Sequence, residues 1–254
     1  MPETEVFQMT ETRDSGDLTF PDPSLCSHPE GLVAWGGTCE PQLMLTAYRQ
    51  GIFPWYEEGG PVLWWSPDPR MVFDLAHHQL PRRLVRHLRH SSWRLTCDRA
   101  FDEVIRACAG PREGQTGTWI TPAMIKAFEH LHQMGWAHSI EVWDQRQLIG
   151  GVYGLVAGRI FCAESKFHHK TNASKVALAG LFQTLRDASF ELVDAQVHNP
   201  HLVRLGAVDM SRKAFLNRLK RGLENSGGHP RQRAGDWSDI EHVVGEMPWE
   251  QAPL

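Results

Sequence analysis

The strongest constraint on the fold is a change of hydrophobic period near residue 137. From there, apolar and polar residues alternate in AHSIEVWD. The runs QLIGGVYGLV and RIFCAESKF then predict a hairpin that turns near Ala157-Gly158. A helical stretch, NASKVALAGLFQTLRDAS, with Asn172 as its N-cap, and a strand, FELVDAQV, follow. Strands mixed with covering helices predict an α+β fold.

The first half of the chain has a different character. Residues 31–73 are rich in Gly, Pro and Trp around one predicted helix, which begins at Pro41 and ends before Gly51. Further helices are predicted at PRRLVRHLRH, over residues 99–109 and 121–134 (capped by Thr121), at NPHLVRLGA up to Gly206, and at SRKAFLNRLKRGL with Ser211 as cap. The acidic lead-in to about residue 24 and the segment after the last helix are predicted to be loops.

Composition excludes several function classes. The chain has 254 residues and a net charge of −4, so no global basic field indicates nucleic acid. Its five Cys are scattered without CxxC, which argues against a disulfide framework and a thiolate zinc site. There is no HExxH motif, so we expect no metal, and no GxxxxGK[ST] motif, so we expect no Walker-type nucleotide site. The acidic start and the lack of ~18 consecutive apolar residues predict a soluble, cytoplasmic protein that does not contact a membrane.

Aromatic residues are concentrated in GIFPWYEEGGPVLWWSPDPRMVF, residues 51–73. Three of the ten Trp lie there within eleven positions, at Trp55, Trp64 and Trp65. Trp is favoured where one face of the ring is apolar and the other is open. The stretch therefore suggests a surface that holds a flat, partly polar ligand.

A basic stretch follows at residues 75–97, with five Arg, four His and no acidic residue. On a helix, Arg82, Arg86 and Arg89 share one face at i, i+4 and i+7 spacing. Such a row suits phosphates spaced along a nucleic-acid backbone. It equally suits an ordinary solvated helix face, and the pattern alone leaves both open.

Polar side chains on two predicted strands are candidates for chemistry. In ELVDAQV, strand alternation puts Asp194 and Gln196 on one face and the apolar residues on the other. Glu164 follows a strongly apolar run near a hairpin end. Ordinary solvated positions explain these residues as well as a catalytic site does.

Ordered motifs then point to a family. The segments GLVAWGG, AYRQGIFPW, LWWSPDPR, GTWIT, AHSIEVW, GGVYG, ESKF, NASKVAL, DAQV, HLVRLGA and SRKAFLNRL occur in this order over residues 20–220. The set closely resembles bacterial leucyl/phenylalanyl-tRNA–protein transferases. The resemblance implies transfer of Leu or Phe from aminoacyl-tRNA to the N-terminal amine of proteins that begin with Arg or Lys, which marks them for N-degron degradation. It implies a small N-terminal domain, residues 1–72, and a larger GNAT-like catalytic domain, residues 73–254.

The same resemblance assigns site residues. Trp55 and Trp119 are expected to flank the terminal adenosine of the tRNA, with Tyr48 nearby, and the WW pair is expected to be mostly structural. Arg82, Arg86 and Arg89 match the family's cluster for the tRNA acceptor arm. Asp194 and Gln196 match the reaction-centre pair, with Glu164 sharing the attraction of the acceptor. Aminolysis of an ester needs orientation rather than ATP or metal, so no cofactor is expected. The partners are aminoacyl-tRNA and the acceptor protein, with no DNA.

The chain departs from the family pattern at the predicted aminoacyl pocket, Val152, Ala163 and Lys166. The family reads GESMF where this chain has AESKF, so a Met is replaced by Lys166, and it often has Met at position 152. A buried, unpaired ammonium is costly. Lys166 therefore points out of the pocket, pairs with Glu164, or recognises an acidic donor amino acid.

Two rival functions stay open at this point. An acetyl-CoA-dependent enzyme needs [QR]xxGx[GA] leading into a helix, whereas QLIGGV fails at its last position and leads into a strand. An inactive tRNA-binding relative is the other alternative.

Overall fold

The structure is a computed structural model that describes residues 6–9, 19–111, 118–225, 237 and 240–249. Twelve strands are described: β1 Phe7–Met9, β2 Leu32–Gly36, β3 Phe53–Pro54, β4 Leu63–Trp65, β5 Arg70–Asp74, β6 Arg94–Cys97, β7 Ala137–Asp144, β8 Gln147–Ala157, β9 Ile160–His168, β10 Leu192–Gln196, β11 Val208–Met210 and β12 Glu241–Val243. Seven α-helices are described: α1 Pro41–Arg49, α2 Arg82–Arg89, α3 Phe101–Ala109, α4 Pro122–Gln133, α5 Ala173–Asp187, α6 Pro200–Val203 and α7 Arg212–Glu224.

The larger sheet has the strand order β11-β5-β10-β9-β8-β7-β6-β12. Its neighbours are antiparallel except β9 and β10, which run parallel. The predicted hairpin is confirmed as β8 and β9, with Gly158 in the turn at φ 61°. Alternate residues of β8 enter different cores, Tyr153 on the side of α3 and α4, and Val152 on the side of α2 and α5. Helices thus cover both faces of a mixed sheet.

A smaller sheet, ordered β1-β2-β4-β3, carries the Trp/Pro-rich segment. Trp64 is fully buried there and donates through Nε1 to the Gly36 carbonyl at 2.9 Å. Helix α1 follows Glu40 with Pro41 in its first turn, as predicted. The Trp/Pro-rich segment therefore forms short strands as well as turns.

Both chain ends differ from the sequence prediction. The lead-in contributes β1, which pairs in parallel with β2, and the tail contributes β12, which pairs with β6 at the sheet edge. Trp237 and Trp249 are buried in the larger core. The prediction of loops was wrong for these segments because three-residue strands carry too little periodicity to be recognised. The rest of the predicted loops, residues 1–5, 10–18, 226–236, 238–239 and 250–254, lies outside the described residues.

The predicted α+β class, with a small N-terminal sheet and a larger mixed sheet covered by helices, is confirmed. The division at residue 72 stays a prediction. Helix caps are as expected at Thr121 and Ser211, which accept from Met124 N and Ala214 N. Asn172 precedes α5 in a left-handed conformation and makes no side-chain cap. None of the helices in the described segments is long and apolar enough to cross a membrane.

Candidate active site

A cavity of about 410 Å³ opens between the two sheets. The small sheet supplies one wall through Phe53, Pro54 and Trp55, and the larger sheet supplies the other through β8, β9 and β10. Seven residues predicted from the sequence line it: Trp55, Trp119, Val152, Ala163, Glu164, Lys166 and Gln196. Residues distant in sequence thus meet at one concave surface, which is where ligand sites usually form.

Two β-bulges in neighbouring strands aim the polar side chains at this cavity. Between β8 and β9 the register slips so that Glu164 is the extra residue, between the pairs Tyr153–Ser165 and Gly154–Ala163. A Cβ at Gly154 would lie 2.2 Å from the Cys162 carbonyl oxygen, so glycine permits this geometry. Between β10 and β5 a second slip lies between Asp194 and Gln196. Bulges commonly re-aim side chains beside active sites.

The second bulge changes the expected arrangement of β10. Gln196 has φ 64°, a left-handed conformation that strains a non-glycine residue. As a result Ala195 and Gln196 both line the cavity, whereas Asp194 is fully buried behind it. The prediction that Asp194 and Gln196 share a strand face was wrong, because alternation fails across a bulge.

The bulges bring Gln196 and Glu164 into direct contact. Nε2 of Gln196 donates to Oε1 of Glu164 at 2.8 Å. Oε2 of Glu164 is buried and has no hydrogen-bond partner in the structure. Gln196 thus fixes one oxygen of this carboxyl, while the other oxygen lies in the protein interior.

A buried ion pair holds the bulge from behind. Nε and Nη2 of Arg70 donate to the two oxygens of Asp194 at 2.8 and 2.7 Å, and Nη1 donates to the Gly51 carbonyl at 3.2 Å. The Arg70 guanidinium also lies between the rings of Phe53 and Phe215, 4.7 and 4.6 Å from their centroids. Oδ1 of Asp194 accepts further from the backbone N–H of Gln196 at 2.9 Å. Both carboxylate oxygens are thus committed to the scaffold.

Burial dominates the electrostatics of the site. It raises the pKa of Glu164 to about 8, against the opposing effects of Tyr48 and Gln196. Burial alone would lower the pKa of Arg70, but the Asp194 carboxylate more than offsets this and raises it. A Glu near pKa 8 at the floor of a cavity is a candidate for proton transfer at neutral pH.

Tyr48 lies deeper than the resemblance implied. It is 1% exposed and does not line the cavity. Its hydroxyl is close enough to influence Glu164 but makes no hydrogen bond of ordinary geometry. Burial raises the pKa of Tyr48 well above its usual value, so the phenol stays neutral.

The two aromatic side chains at the entrance remain accessible. Trp55 is 45% exposed and leans on Trp65, whose Nε1 donates to the Trp55 carbonyl at 2.8 Å. Trp119 is half-buried on the approach to α4. Residues 112–117, which precede it, lie outside the described residues.

The predicted aminoacyl pocket lies next to the carboxyl. Val152 and Lys166 are directly opposed across β8 and β9, so their side chains are neighbours. Phe73, Leu178 and Leu202 complete an apolar wall. Lys166 is partly exposed within this lining.

The Arg cluster lies apart from the cavity. Leu84, Val85 and Leu88 of α2 are buried, and Arg82 and Arg86 are exposed on the opposite side, as the spacing predicted. Arg89 is exposed too and donates to the Trp249 carbonyl at 3.3 Å. No residue of α2 lines the cavity.

Sequence reasoning missed Arg70 as a site residue. It lies in the quoted segment LWWSPDPR, but nothing in a local pattern pairs it with Asp194, 124 positions away. Within the described residues, no three His, Cys, Asp or Glu side chains are grouped as metal ligands.

Comparison with known proteins agrees with the motifs. The family model described as leucyl/phenylalanyl-tRNA protein transferase matches residues 72–220, and the model of its N-terminal domain matches residues 37–68. These matches define the chain as an aminoacyltransferase.

Individual relatives give the particular family. Leucyl/phenylalanyl-tRNA–protein transferases from Shewanella woodyi and Shewanella baltica are 52% and 50% identical, over 80% and 89% of this chain and 86% and 93% of theirs. The Pseudoalteromonas atlantica protein is 46% identical over 87% of this chain and 93% of its own. The chain belongs to the leucyl/phenylalanyl-tRNA–protein transferase family. A solved structure, L-PGS from Bacillus licheniformis, aligns at TM-score 0.39 and 9% identity over 66% of this chain and 54% of that one, too weakly to add to this assignment.

Proposed function

We propose that the protein transfers Leu or Phe from aminoacyl-tRNA to the N-terminal amine of proteins that begin with Arg or Lys. Such a product carries an N-degron, and charged tRNA places the reaction in the cytoplasm. Family membership supports the activity. The observation that carries the proposal is the cavity itself, which is lined by the exposed Trp55, the half-buried Trp119 and the hydrogen-bonded pair Glu164–Gln196.

The reaction makes modest demands on the protein. The acceptor amine attacks the ester carbonyl carbon, a peptide bond forms, and the bond from that carbon to the tRNA 3′ oxygen breaks. The amine loses a proton, and the leaving oxygen gains one. No ATP or oxidant enters this balance, so positioning and proton transfer supply the catalysis.

Glu164 is the proton acceptor in this proposal. Its pKa of about 8 lies close to the value of about 7.7–8.0 for a free α-amino group, so the proton passes between matched partners. Glu164 belongs to the cavity lining, where the acceptor amine would approach it, and Gln196 fixes its Oε1. Asp194 is unsuited, because Arg70 and the Gln196 backbone occupy its oxygens. Asp194 therefore positions Gln196.

The substrate is held by its base and its amino acid. Stacking an unpaired base on an aromatic ring contributes ~1–3 kcal/mol, and Trp55 and Trp119 offer rings on the lining. The apolar wall of Phe73, Leu178 and Leu202 suits a Leu or Phe side chain. The exposed Arg82 and Arg86 on α2 contact phosphates of the tRNA body in this proposal.

Lys166 motivates a second candidate, the same chemistry with an acidic donor. Its side chain belongs to the cavity lining beside Val152, and its positive charge would attract a donor carboxylate there. In this alternative Asp or Glu replaces Leu or Phe as the transferred residue. Substitution Lys166→Met would then abolish acidic transfer and create or raise transfer of Leu.

The direct test uses tRNA charged with radiolabelled Leu, Phe, Asp or Glu, and an acceptor protein with N-terminal Arg. Label in acid-precipitable protein after RNase treatment measures transfer, and an acceptor with N-terminal Ser is the control. Leu or Phe label supports the first proposal, and label only from Asp or Glu supports the second. Label from none overturns both and favours an inactive tRNA-binding relative. An acetyl-CoA-dependent rise in melting temperature would indicate the acetyltransferase alternative.

A further inference from the structure

Cationic side chains are grouped around His201, beside residues that line the cavity. Lys166 of β9 and Leu202 of α6 line the cavity, and His201 and Arg204 flank Leu202 in sequence. Lys175 lies on α5 one turn before Leu178, another lining residue, so both share a helix face. We name Lys175, His201 and Arg204 the mouth rim.

The positive charges of the mouth rim lie close to one another. After burial, the influences that lower the pKa of His201 are all cationic: Lys166, Lys175, Arg204 and His168. Among the described residues no ion pair involves Lys175 or Arg204, and Lys175 donates only to the neutral Asn172 side chain at 3.0 Å. Elsewhere in this acidic chain, cations such as Lys170 and Arg218 have carboxylate partners. Like charges collected at a cavity favour an anion there.

We propose that the mouth rim binds the phosphodiester oxygens of the last nucleotides of the tRNA, where the strand enters the cavity. This inference rests on the proposed function. A polyanion whose terminal base is held at Trp55 and Trp119 must pass the edge of the cavity, and its backbone carries a phosphate at every nucleotide. Arg204 and Lys175 supply charge-assisted donors for such oxygens. The rim therefore guides the 3′ end, while α2 meets the tRNA body.

The sharpest test compares leucyl-tRNA with 3′-O-leucyl-adenosine, which keeps the terminal aminoacylated nucleoside but lacks all phosphates and the rest of the tRNA. The double substitution Lys175→Gln plus Arg204→Gln should lower kcat/KM for leucyl-tRNA at least about tenfold. It should leave kcat/KM for leucyl-adenosine unchanged. The salt dependence of tRNA binding should weaken by about 1.4 in log–log slope, since each single-strand phosphate contact contributes ~0.7.

Matched variants separate a local contact from bulk charge. Lys213→Gln plus Lys220→Gln on α7 removes the same charge from exposed positions and should leave kcat/KM unchanged for both donors. Lys175→Arg plus Arg204→Lys keeps the charge and should retain most tRNA binding. Thermal melts confirm that every variant is folded.

Three results would overturn the proposal. Equal loss with leucyl-tRNA and leucyl-adenosine would mean that the rim acts on the cavity rather than on phosphates. Loss confined to Asp- or Glu-charged donors would mean that it binds a carboxylate. No change with either donor would mean that it binds nothing. If the parent protein transfers no amino acid, the proposed function fails. Filter binding of uncharged tRNA and of the trinucleotide CCA to the same variants then still shows whether the mouth rim binds phosphates.

Discussion

The Arg70–Asp194 pair allows a demanding test of the site, because stability and activity should respond to it differently. The side chains are 1% and 0% exposed and share two hydrogen bonds. Arg70→Met leaves a buried carboxylate without its partner, which costs about 3–5 kcal/mol in free energy of unfolding. At about 2–4 °C per kcal/mol for a chain of this size, the melting temperature should fall by about 6–20 °C.

A second substitution should restore stability without restoring transfer. Replacing a buried ion pair by apolar side chains is often neutral or stabilising by about 1–4 kcal/mol, so Arg70→Met plus Asp194→Leu should melt near the parent. However, the N–H of Gln196 then loses its acceptor at 2.9 Å, and with it the support for a left-handed residue that costs ~1–3 kcal/mol to hold. A displacement of a positioning side chain by about 1 Å can lower the reaction rate ~100-fold, so we expect the transfer rate of the double variant to fall by about that factor.

Melting curves and single-turnover transfer from leucyl-tRNA decide the question together. Arg94→Met is the matched control, since its partner Glu241 is exposed and such a pair contributes about 0–1 kcal/mol. A stable double variant with parental transfer rates would refute the role given to Asp194. A single variant that melts like the Arg94 control would refute the reasoning on burial.

Three further predictions concern the other parts of the site. The transfer rate with saturating donor and acceptor should rise with pH up to about 8, because Glu164 must be ionised to accept a proton. Glu164→Gln should remove this pH dependence and most of the activity. Glu141→Gln, the control at another buried carboxyl with a pKa of about 7, should keep both. Trp119→Ala should raise KM for leucyl-tRNA by the equivalent of ~1–3 kcal/mol, with kcat less affected in single-turnover assays. Arg82→Gln plus Arg86→Gln should weaken binding of all tRNAs alike and reduce the log–log salt slope by about 1.8, measured by filter binding from 50 to 200 mM salt.

Local pattern predicted much of this protein because its longest elements carry strong periodic signals. Helices α4, α5 and α7 each span more than eleven residues, and the strands β8 and β9 are consecutive in sequence. Seven of the predicted site residues also meet at one cavity. The roles of those residues came from family motifs, since pattern alone left both Glu164 and the Arg row open.

Long-range contacts account for what the sequence could not predict. The bulges at Glu164 and Gln196 depend on register against neighbouring strands, and one shifted residue reverses which face a side chain occupies. Arg70 becomes a site residue only when β5 lies beside β10. The short strands β1 and β12 form only because a longer strand offers them an open edge.

These contacts also separate proton transfer from donor selection. The proton-transfer centre depends on two bulges, a buried ion pair and the Gln196–Glu164 bond, all reached through the interior of the fold. Val152 and Lys166 instead oppose each other at the cavity surface, where a changed side chain alters shape and charge without disturbing that support. If Glu164 and the Val152–Lys166 pair act as proposed, a substitution in that pair changes which amino acid is transferred while the proton-transfer step keeps its pH dependence. We therefore expect the replacement of a Met by Lys166 to bear on donor choice rather than on whether transfer occurs.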